Sequence, residues 1–432
     1  MYGDGQMSRL HRALFSDGTD VKRKALIWNS AAGAISAGES VLIPMVVTRL
    51  IGLGDAGILT LGYAVGNLMA TIGKSGGVRT LQVTDVAPKH TFAEYLGARL
   101  STLLLMIAIS IGYLLHSTLQ NGYTLHKVIV LLVLCSKCLL EAFEDVFAGE
   151  CQKQGRLDVG ARMFVFRSIT FMAVAAVMLL AVRRMLPALV TALAAAVLLE
   201  VLQLTVVLPE MSISLCPSLD RAVLALLRKC LPLAVCTFSF FYITNAPKYA
   251  IDRVMDDEAQ ACYGFIALPV FAIELLSGFI YQPSLVDFAK DLADKHFGKV
   301  RNRILMQIVI LAGLTALAWG AAYLLGIPLL SMLFAVDLAR YKSEMLVLVL
   351  AGGVLAVMAY FSTVLTAMDH PLLIMFGYLS ALLLSLFLYT PVIRSYGIMG
   401  GVKLYLTLCI LVSVYEAVCI TVSLRERPAQ NQ

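Results

Sequence analysis

The stretch from Met185 to Leu208, MLPALVTALAAAVLLEVLQLTVVL, contains one ionisable side chain, Glu200, in 24 residues. A helix needs about 20 mostly apolar residues to cross the hydrocarbon core of a bilayer. By that criterion the chain has about eleven further stretches of this kind. The sequence therefore predicts an all-α membrane protein with about twelve spanning helices. They lie near residues 26–48, 58–82, 99–116, 127–149, 160–182, 185–208, 231–252, 260–284, 304–327, 344–367, 372–393 and 398–423.

The composition supports this reading. Hydrophobic residues make up 59% of the 432 positions and charged residues 14%, with a mean hydropathy of +0.84. Globular proteins carry about 25% charged residues, so lipid must cover most of this surface. This excludes an ordinary cytoplasmic enzyme, a DNA-binding module and a secreted disulfide scaffold. The net charge of +6 does not indicate a nucleic-acid partner, because the cations follow the sidedness of the membrane.

Lysine and arginine are unevenly shared between alternate loops. The N-terminus, the even-numbered loops and the tail hold about 18 of them and the opposite side about 7, which predicts cytoplasmic termini. Arg183 and Arg184 oppose this orientation. The first span is too long for a signal peptide, so we expect no cleavage.

These spans predict five regions along the chain. The stretch 219–230 carries an apolar run with Arg221, Arg228 and Lys229, and is expected to form an amphipathic helix on the membrane surface. The regions are a cytoplasmic segment 1–25, a six-helix lobe 26–209, a cytoplasmic connector 210–230, a six-helix lobe 231–424 and a cytoplasmic tail 425–432.

The cysteines and histidines indicate no cofactor. Most of the nine cysteines lie inside apolar runs, and the pair Cys135-x-x-Cys138 flanks Lys137 in one of them. No second pair or nearby histidine completes a set of metal ligands. We predict structural cysteines and no metal.

The two halves of the chain match weakly at an offset of about 203 residues. Pro44 then aligns with Pro247, and Arg49 aligns with Asp252. Duplicated halves are characteristic of transporters that rock around a central binding site. An enzyme embedded in the membrane has no particular need of them.

Many ionisable residues fall within the predicted spans. An ionisable side chain at bilayer depth costs about 2.5–3.5 kcal/mol on insertion scales, so it usually faces protein or a water-filled cavity. Side chains near span ends can instead reach the headgroups, an alternative that stays open for Lys74, Arg79, Glu144, Arg162 and Lys403. Glu39, Glu200 and Glu274 sit deep, which favours a buried partner or a cavity. The others are Lys137, Glu141, Asp145, Arg167, Lys248, Asp252 and Glu416.

The cations among them indicate an anionic ligand. If the halves are related by the repeat, the first and seventh spans face each other across the centre. Arg49, Lys74, Arg79, Lys248 and Arg253 could then line one cavity. Several cations suit a pyrophosphate, which arginine holds in a bidentate fashion. The acids could balance these cations or carry a coupling proton.

Three segments carry recognisable motifs. They are 29–99 with PMVVTRLIGLGDAG at 44–57 and FAEYLGAR at 92–99, then FAGECQKQGRLD at 147–158, then 231–283 with NAPKYAID at 245–252 and LPVFAIELLSGFIYQP at 268–283. In these segments, which cover about half of the chain, the sequence resembles the Wzx-type polysaccharide flippases of the multidrug/oligosaccharidyl-lipid/polysaccharide (MOP) exporter superfamily. Glu274 departs from the resemblance, because an apolar or amide residue is expected there.

The resemblance implies two pseudo-symmetric six-helix lobes in a MATE-like fold. It implies a flippase, not an enzyme, that moves a polyprenyl-pyrophosphate-linked oligosaccharide across the bacterial cytoplasmic membrane by alternating access. Expected partners are membrane lipids and the polymerase and glycosyltransferases of the pathway, around a monomer. The substrate-binding candidates are Arg49, Lys74, Arg79, Gln82, Asn245, Lys248, Tyr249 and Arg253, and the ion-coupling candidates are Glu39, Asp252 and Glu274.

Three alternatives stay open from the sequence. An ion-coupled multidrug antiporter of the same superfamily would depend on the acids and be indifferent to the cations. A peptidoglycan lipid flippase would share the mechanism and differ in the headgroup. A membrane polymerase or acyltransferase would usually carry catalytic residues on a sizeable outside loop, and every predicted outside loop is short.

Overall fold

The computed structural model describes residues 4–15, 20–74, 77–85 and 89–429, and omits the side chains of residues 4–8, 286 and 426–429. The predicted terminal segments 1–25 and 425–432 lie partly outside these ranges, as does Val86. The described residues are helical and contain no β-strand. The all-α prediction is therefore confirmed.

The helices are α1 (Asp4–Leu14), α2 (Val21–Leu50), α3 (Leu53–Lys74), α4 (Val78–Thr84), α5 (Phe92–Asn121), α6 (Leu125–Lys153), α7 (Leu157–Val182), α8 (Met185–Glu210), α9 (Arg221–Val254), α10 (Asp257–Ile266), α11 (Leu268–Tyr281), α12 (Ser284–Ala293), α13 (Phe297–Ala321), α14 (Ile327–Phe334), α15 (Lys342–Ala367) and α16 (Pro371–Ala429). A π-helical turn, Ala322–Gly326, joins α13 to α14.

Within the described ranges, ten helical segments are long and apolar enough to cross a membrane. One of them, Pro371–Arg425, is interrupted at Gly397, where φ is 61° and ψ is −155°. This backbone conformation is accessible essentially to glycine alone, and it separates two spans. Helix α6 has the length of a span but is not among the ten, because of its charges. With α6 and both halves of α16, the segments match the predicted twelve spans, and the chain is a multi-pass membrane protein.

The second predicted span, 58–82, is wrong at its end. Helix α3 ends at Lys74 and α4 begins at Val78, so Arg79 and Gln82 belong to a separate short helix. Gly77 lies in a turn directly before α4, where its lack of a side chain disfavours a helix.

The amphipathic helix expected on the membrane surface at 219–230 is also corrected. Residues 221–230 instead form the first turns of α9, which continues to Val254. Val223, Leu226 and Cys230 pack into a buried apolar cluster with residues of α5, α6, α7 and α8. The apolar face of residues 221–230 is therefore buried against other helices and does not lie on the membrane surface.

The chain forms two compact units, Met1–Phe238 and Ser239–Gln432. The boundary falls inside α9, beyond the predicted connector 210–230. In the first unit α3 is the most buried span and packs against α6. A Cβ at Gly62 would lie 2.3 Å from Leu134 Cδ1, and one at Gly66 would lie 2.9 Å from Cys138 Sγ. This small-x-x-x-small spacing lets the two helices approach closely.

In the second unit α15 is the most buried span. A Cβ at Gly353 would lie 2.3 Å from Thr315 of α13, and one at Gly352 would lie 3.2 Å from Val270 Cα of α11. Glu416 of α16 is fully buried and accepts a hydrogen bond of 2.5 Å from Ser362 of α15.

Candidate functional site

The first unit contains a cleft of about 300 Å³ that is rich in charge. It is lined by the first half of α2, the end of α3, α4, the second half of α6 and the first two turns of α7. Its ionisable lining residues are Lys74, Arg79, Glu141, Glu144 and Asp145, and its other lining residues are Asn29, Ala32, Gly33, Ser36, Ala148, Gly160, Ala161 and Phe164.

Arg79 is held in the cleft by two acceptors on α6. Its Nη1 donates to Asp145 Oδ1 at 3.0 Å, and its Nη2 donates to Gln152 Oε1 at 3.0 Å. Arg99 of α5 binds the same carboxylate, with Nη2 donating to Asp145 Oδ2 at 2.6 Å. Arg99 is fully buried and also donates to the Gly73 carbonyl at 2.7 Å. Two guanidinium groups thus share one carboxylate.

A second chain of ion pairs runs from the cleft toward the middle of α2. Lys74 Nζ lies 3.9 Å from Glu141 Oε2. Glu141 Oε1 lies 2.7 Å from Lys137 Nζ, which lies 2.7 Å from Glu39 Oε1. The Lys74 side chain is 40% exposed, whereas that of Lys137 is 7% exposed. The cation at the cleft is therefore available to a ligand and the deeper one is not.

Arg167 of α7 lies within ion-pair distance of three carboxylates. Its Nε lies 2.5 Å from Glu144 Oε2 and 3.8 Å from Glu200 Oε2, and its Nη1 lies 3.8 Å from Glu141 Oε1. Arg167, Glu144 and Glu200 are all buried. Both carboxyl oxygens of Glu200 and both Nη atoms of Arg167 lack a hydrogen-bond partner among the described residues.

We call the linked side chains around Arg167 and Lys137 the buried cluster. Its members are Glu39, Lys74, Lys137, Glu141, Glu144, Arg167 and Glu200. Burying a charge is tolerated only where opposite charges and hydrogen bonds offset the loss of water. The cluster joins α2, α3, α6, α7 and α8. The charged side chains of α6, which would be costly to expose to lipid, thus form ion pairs with residues of neighbouring helices.

The predicted residues of the first unit divide into two groups. Lys74 and Arg79 line the cleft, and Glu39 joins it through Lys137. Gln82 is buried beneath α6, where its Nε2 donates to the Val146 carbonyl at 3.2 Å and to Glu150 at 3.1 Å. Arg49 lies at the far end of α2, about 20 Å along the axis from Ser36 by helical rise, and does not line the cleft.

The predicted residues of the second unit centre on α9. Lys248 Nζ donates to Asn245 Oδ1 at 3.1 Å, one helical turn earlier. Tyr249 is buried and its ring lies 5.4 Å from that of Tyr242. Asp252 of α9 is buried, Arg253 is exposed and Glu274 of α11 is half-buried.

The sequence identified all seven members of the buried cluster as charges in predicted spans, but assigned only Lys74 and Glu39 to a site. Lys137, Glu141, Glu144 and Asp145 recur at three- and four-residue spacing, which places them along one side of α6. That periodicity was the available signal. Arg99 was missed because it lies at the first residue of a predicted span.

The described residues contain no group of three or more histidine, cysteine, aspartate or glutamate side chains able to hold a metal ion. Outside the spans, Asp85 accepts hydrogen bonds from the amides of Lys89 and His90 and from the Tyr95 hydroxyl. These bonds lower the pKa of Asp85 below 3.8, the Lys89 amide most strongly. The pKa of Asp220, before α9, is also lowered, first by the Ser218 hydroxyl and then by the Val223 amide.

Comparison with known proteins identifies the fold. No family model matches the chain, and no curated protein sequence matches it. An inward-facing multidrug resistance MATE family transporter of the MOP superfamily superposes with a TM-score of 0.71 at 13% identity, over 92% of this chain and 98% of that one. The lipid II flippase MurJ, in an inward closed conformation, gives 0.67 at 10% identity, over 92% and 87%.

A MATE protein in a bent conformation gives a TM-score of 0.53 at 15% identity, over 99% of this chain and all of that one. At these identities the likeness establishes the fold. The expected MATE-like fold is therefore confirmed.

Proposed function

We propose that this chain is a transporter of the Wzx type, which moves a polyprenyl-pyrophosphate-linked oligosaccharide across the cell membrane. The observation that carries the proposal is the pair Lys74 and Arg79 at the cleft. Their side chains are 40% and 36% exposed, so both cations can be reached by a ligand without unfolding the site.

The chemistry of the cleft suits a diphosphate. Arginine presents a planar fork of donors that matches phosphate oxygens, and lysine adds a compact positive charge. Asn29 and Ser36 line the same space and provide neutral donors for sugar or phosphate oxygens. The volume of about 300 Å³ lies at the lower end of the range for small-molecule sites. It suits a diphosphate headgroup, with the polyprenyl chain and the sugars of the cargo outside the cleft.

The fold is compatible with lipid flipping, since one protein that shares it is a lipid II flippase. Under the predicted orientation the cleft opens toward the cytoplasm, where such a cargo would be loaded. The second-unit residues Asn245, Lys248, Tyr249 and Arg253 are proposed to contact the cargo as well. We further propose a monomer that works with the polymerase and glycosyltransferases of the same pathway.

A multidrug antiporter is the second candidate, and one observation favours it. The carboxylates of Glu141, Glu144 and Asp145 line the same cleft as the cations. A cationic compound could be held by these acids, in which case Lys74 and Arg79 would only balance their charge.

Mass spectrometry of polyprenyl lipids from cells depleted of the protein separates these functions. We expect one polyprenyl-pyrophosphate oligosaccharide to accumulate. The wild-type chain should clear it, Lys74→Ala/Arg79→Ala should not, and Arg301→Ala, which removes an exposed cation outside the cleft, should clear it fully. An unchanged lipid profile with new drug sensitivity would refute the flippase and support the antiporter.

A further inference from the structure

The buried cluster holds more acids than bases. Glu39, Glu141, Glu144 and Glu200 face Lys74, Lys137 and Arg167 across the ion pairs described above. Fully ionised, these seven side chains would carry one excess negative charge, and all of them except Lys74 are at most 11% exposed. Ionised groups are not retained at such a site without compensation, and a carboxylate instead binds a proton.

Glu144 and Glu200 are the acids with the weakest compensation. They share Arg167, whose Nε lies close to Glu144 and 3.8 Å from Glu200. Neither oxygen of Glu200 and only one of Glu144 has a hydrogen-bond partner in the described residues. By contrast, Lys137 lies 2.7 Å from both Glu39 and Glu141. The excess proton therefore belongs to Glu144 and Glu200 together.

Charged side chains of α2, α3, α6 and α7 surround this pair. Helix α1 contacts α8 through the ion pair of His11 with Glu210. Glu210 lies ten residues after Glu200, which is about 15 Å along the axis of α8. The groups that face the pair are Glu39 from α2, Lys74 from α3, Lys137 and Glu141 from α6, and Arg167 from α7.

The pair is also connected to the cleft. Glu144 lines it, and Glu141 and Asp145 hold Lys74 and Arg79 there. An anion that draws Lys74 and Arg79 toward itself weakens their hold on these carboxylates. The carboxylates of the cluster then lose the compensation that Lys74 gave to Glu141, and a nearby acid binds a further proton.

We infer that Glu144 and Glu200, with Arg167, form a proton-binding site that fills as a diphosphate enters the cleft, so that proton and anionic cargo bind together. This inference rests on the proposed function, because it takes a diphosphate as the ligand. Linkage is reciprocal, so raising the pH weakens diphosphate binding by about tenfold per pH unit for each proton taken up.

Calorimetric titration with inorganic pyrophosphate, in two buffers of different ionisation enthalpy, counts the protons. Wild-type protein should take up about one proton per pyrophosphate beyond what the ligand itself requires. In Glu144→Gln/Glu200→Gln the remaining acids, Glu39 and Glu141, stay balanced by Lys137 and Arg167. Binding should tighten and this extra uptake should disappear, whereas Glu416→Gln, which neutralises a buried acid of the other unit, should keep it.

Infrared difference spectra of the same proteins provide a second readout that needs no ligand. The wild type should show a protonated-carboxyl band that titrates with pH and is missing from Glu144→Gln/Glu200→Gln. Pyrophosphate binding with equal proton uptake in wild type and double variant would overturn the inference, as would identical carboxyl bands. Absence of pyrophosphate binding with the band present would refute the diphosphate cleft and leave the proton site supported.

Discussion

Replacing Lys137 by methionine tests whether the buried cluster holds the first unit together. Methionine keeps the length of the side chain and removes its charge. Lys137 lies 2.7 Å from both Glu39 and Glu141, and all three side chains are nearly inaccessible. Glu141 keeps contacts with Lys74 and Arg167 at 3.9 and 3.8 Å, so Glu39 is the acid that loses its cation.

Removing one partner of a buried ion pair costs about 3–5 kcal/mol, because the other charge stays buried without compensation. We expect Lys137→Met to lower the free energy of unfolding by about this amount. Adding Glu39→Gln should recover most of the loss. The matched control is Lys74→Met, which also removes a cation from Glu141 but at a 40% exposed position, and should cost at most about 1 kcal/mol.

The measurement is denaturant unfolding in detergent, followed by tryptophan fluorescence. The chain has two tryptophans, so a Trp319→Phe background leaves Trp28 of α2 as the reporter for the first unit. If Lys137→Met were no less stable than Lys74→Met, or if adding Glu39→Gln lowered stability further, Lys137 would not be compensating Glu39.

Three further predictions concern local structure. Gly397→Ala should lower the free energy of unfolding by about 1–3 kcal/mol, since alanine is strained at this backbone conformation. An unchanged or raised free energy of unfolding, as a glycine-to-alanine change gives in a regular helix, would contradict this. In Gly97→Val the new side chain clashes with the Ser218 carbonyl oxygen, which lies 1.8 Å from the Cβ position. The segment 211–220 should therefore become sensitive to protease, and unchanged protease resistance would refute that contact. The lowered pKa of Asp85 adds stability at pH values above 3.8, and this stability is lost as the pH falls through the lowered pKa. Asp85→Asn should therefore remove the drop in the thermal unfolding midpoint at acidic pH. An unchanged dependence of the midpoint on pH would show that this carboxylate is not responsible.

The spans were predictable because lipid imposes one rule on the whole chain. Any stretch of about 20 apolar residues must cross or be buried, and Gly397 falls in the gap left between the last two predicted spans. The end of the second span was wrong because the turn at Gly77, between α3 and α4, is too weakly polar to lower the hydropathy.

The pairing of the charges was not predictable. Glu39 and Lys137 are far apart in the sequence, and only the packing of both α2 and α6 against α3 and α7 brings them together. Hydropathy also cannot separate Lys74, which reaches the cleft, from Arg167, which is fully buried. Exposure of this kind depends on tertiary contacts and not on the position of a residue within its span.

The charges of α6 also bear on how the protein is made. Each carboxylate or ammonium group at the centre of a helix disfavours insertion by about 2.5–3.5 kcal/mol, and α6 carries several. Glu39 is synthesised before Lys137, but Arg167 and Glu200 follow it. Helix α6 therefore enters the bilayer at a penalty that is relieved in full only when α7 and α8 have emerged. We expect the first unit to insert as a group of helices late in its synthesis, so that chains ending before α7 are retained by the insertion machinery or degraded.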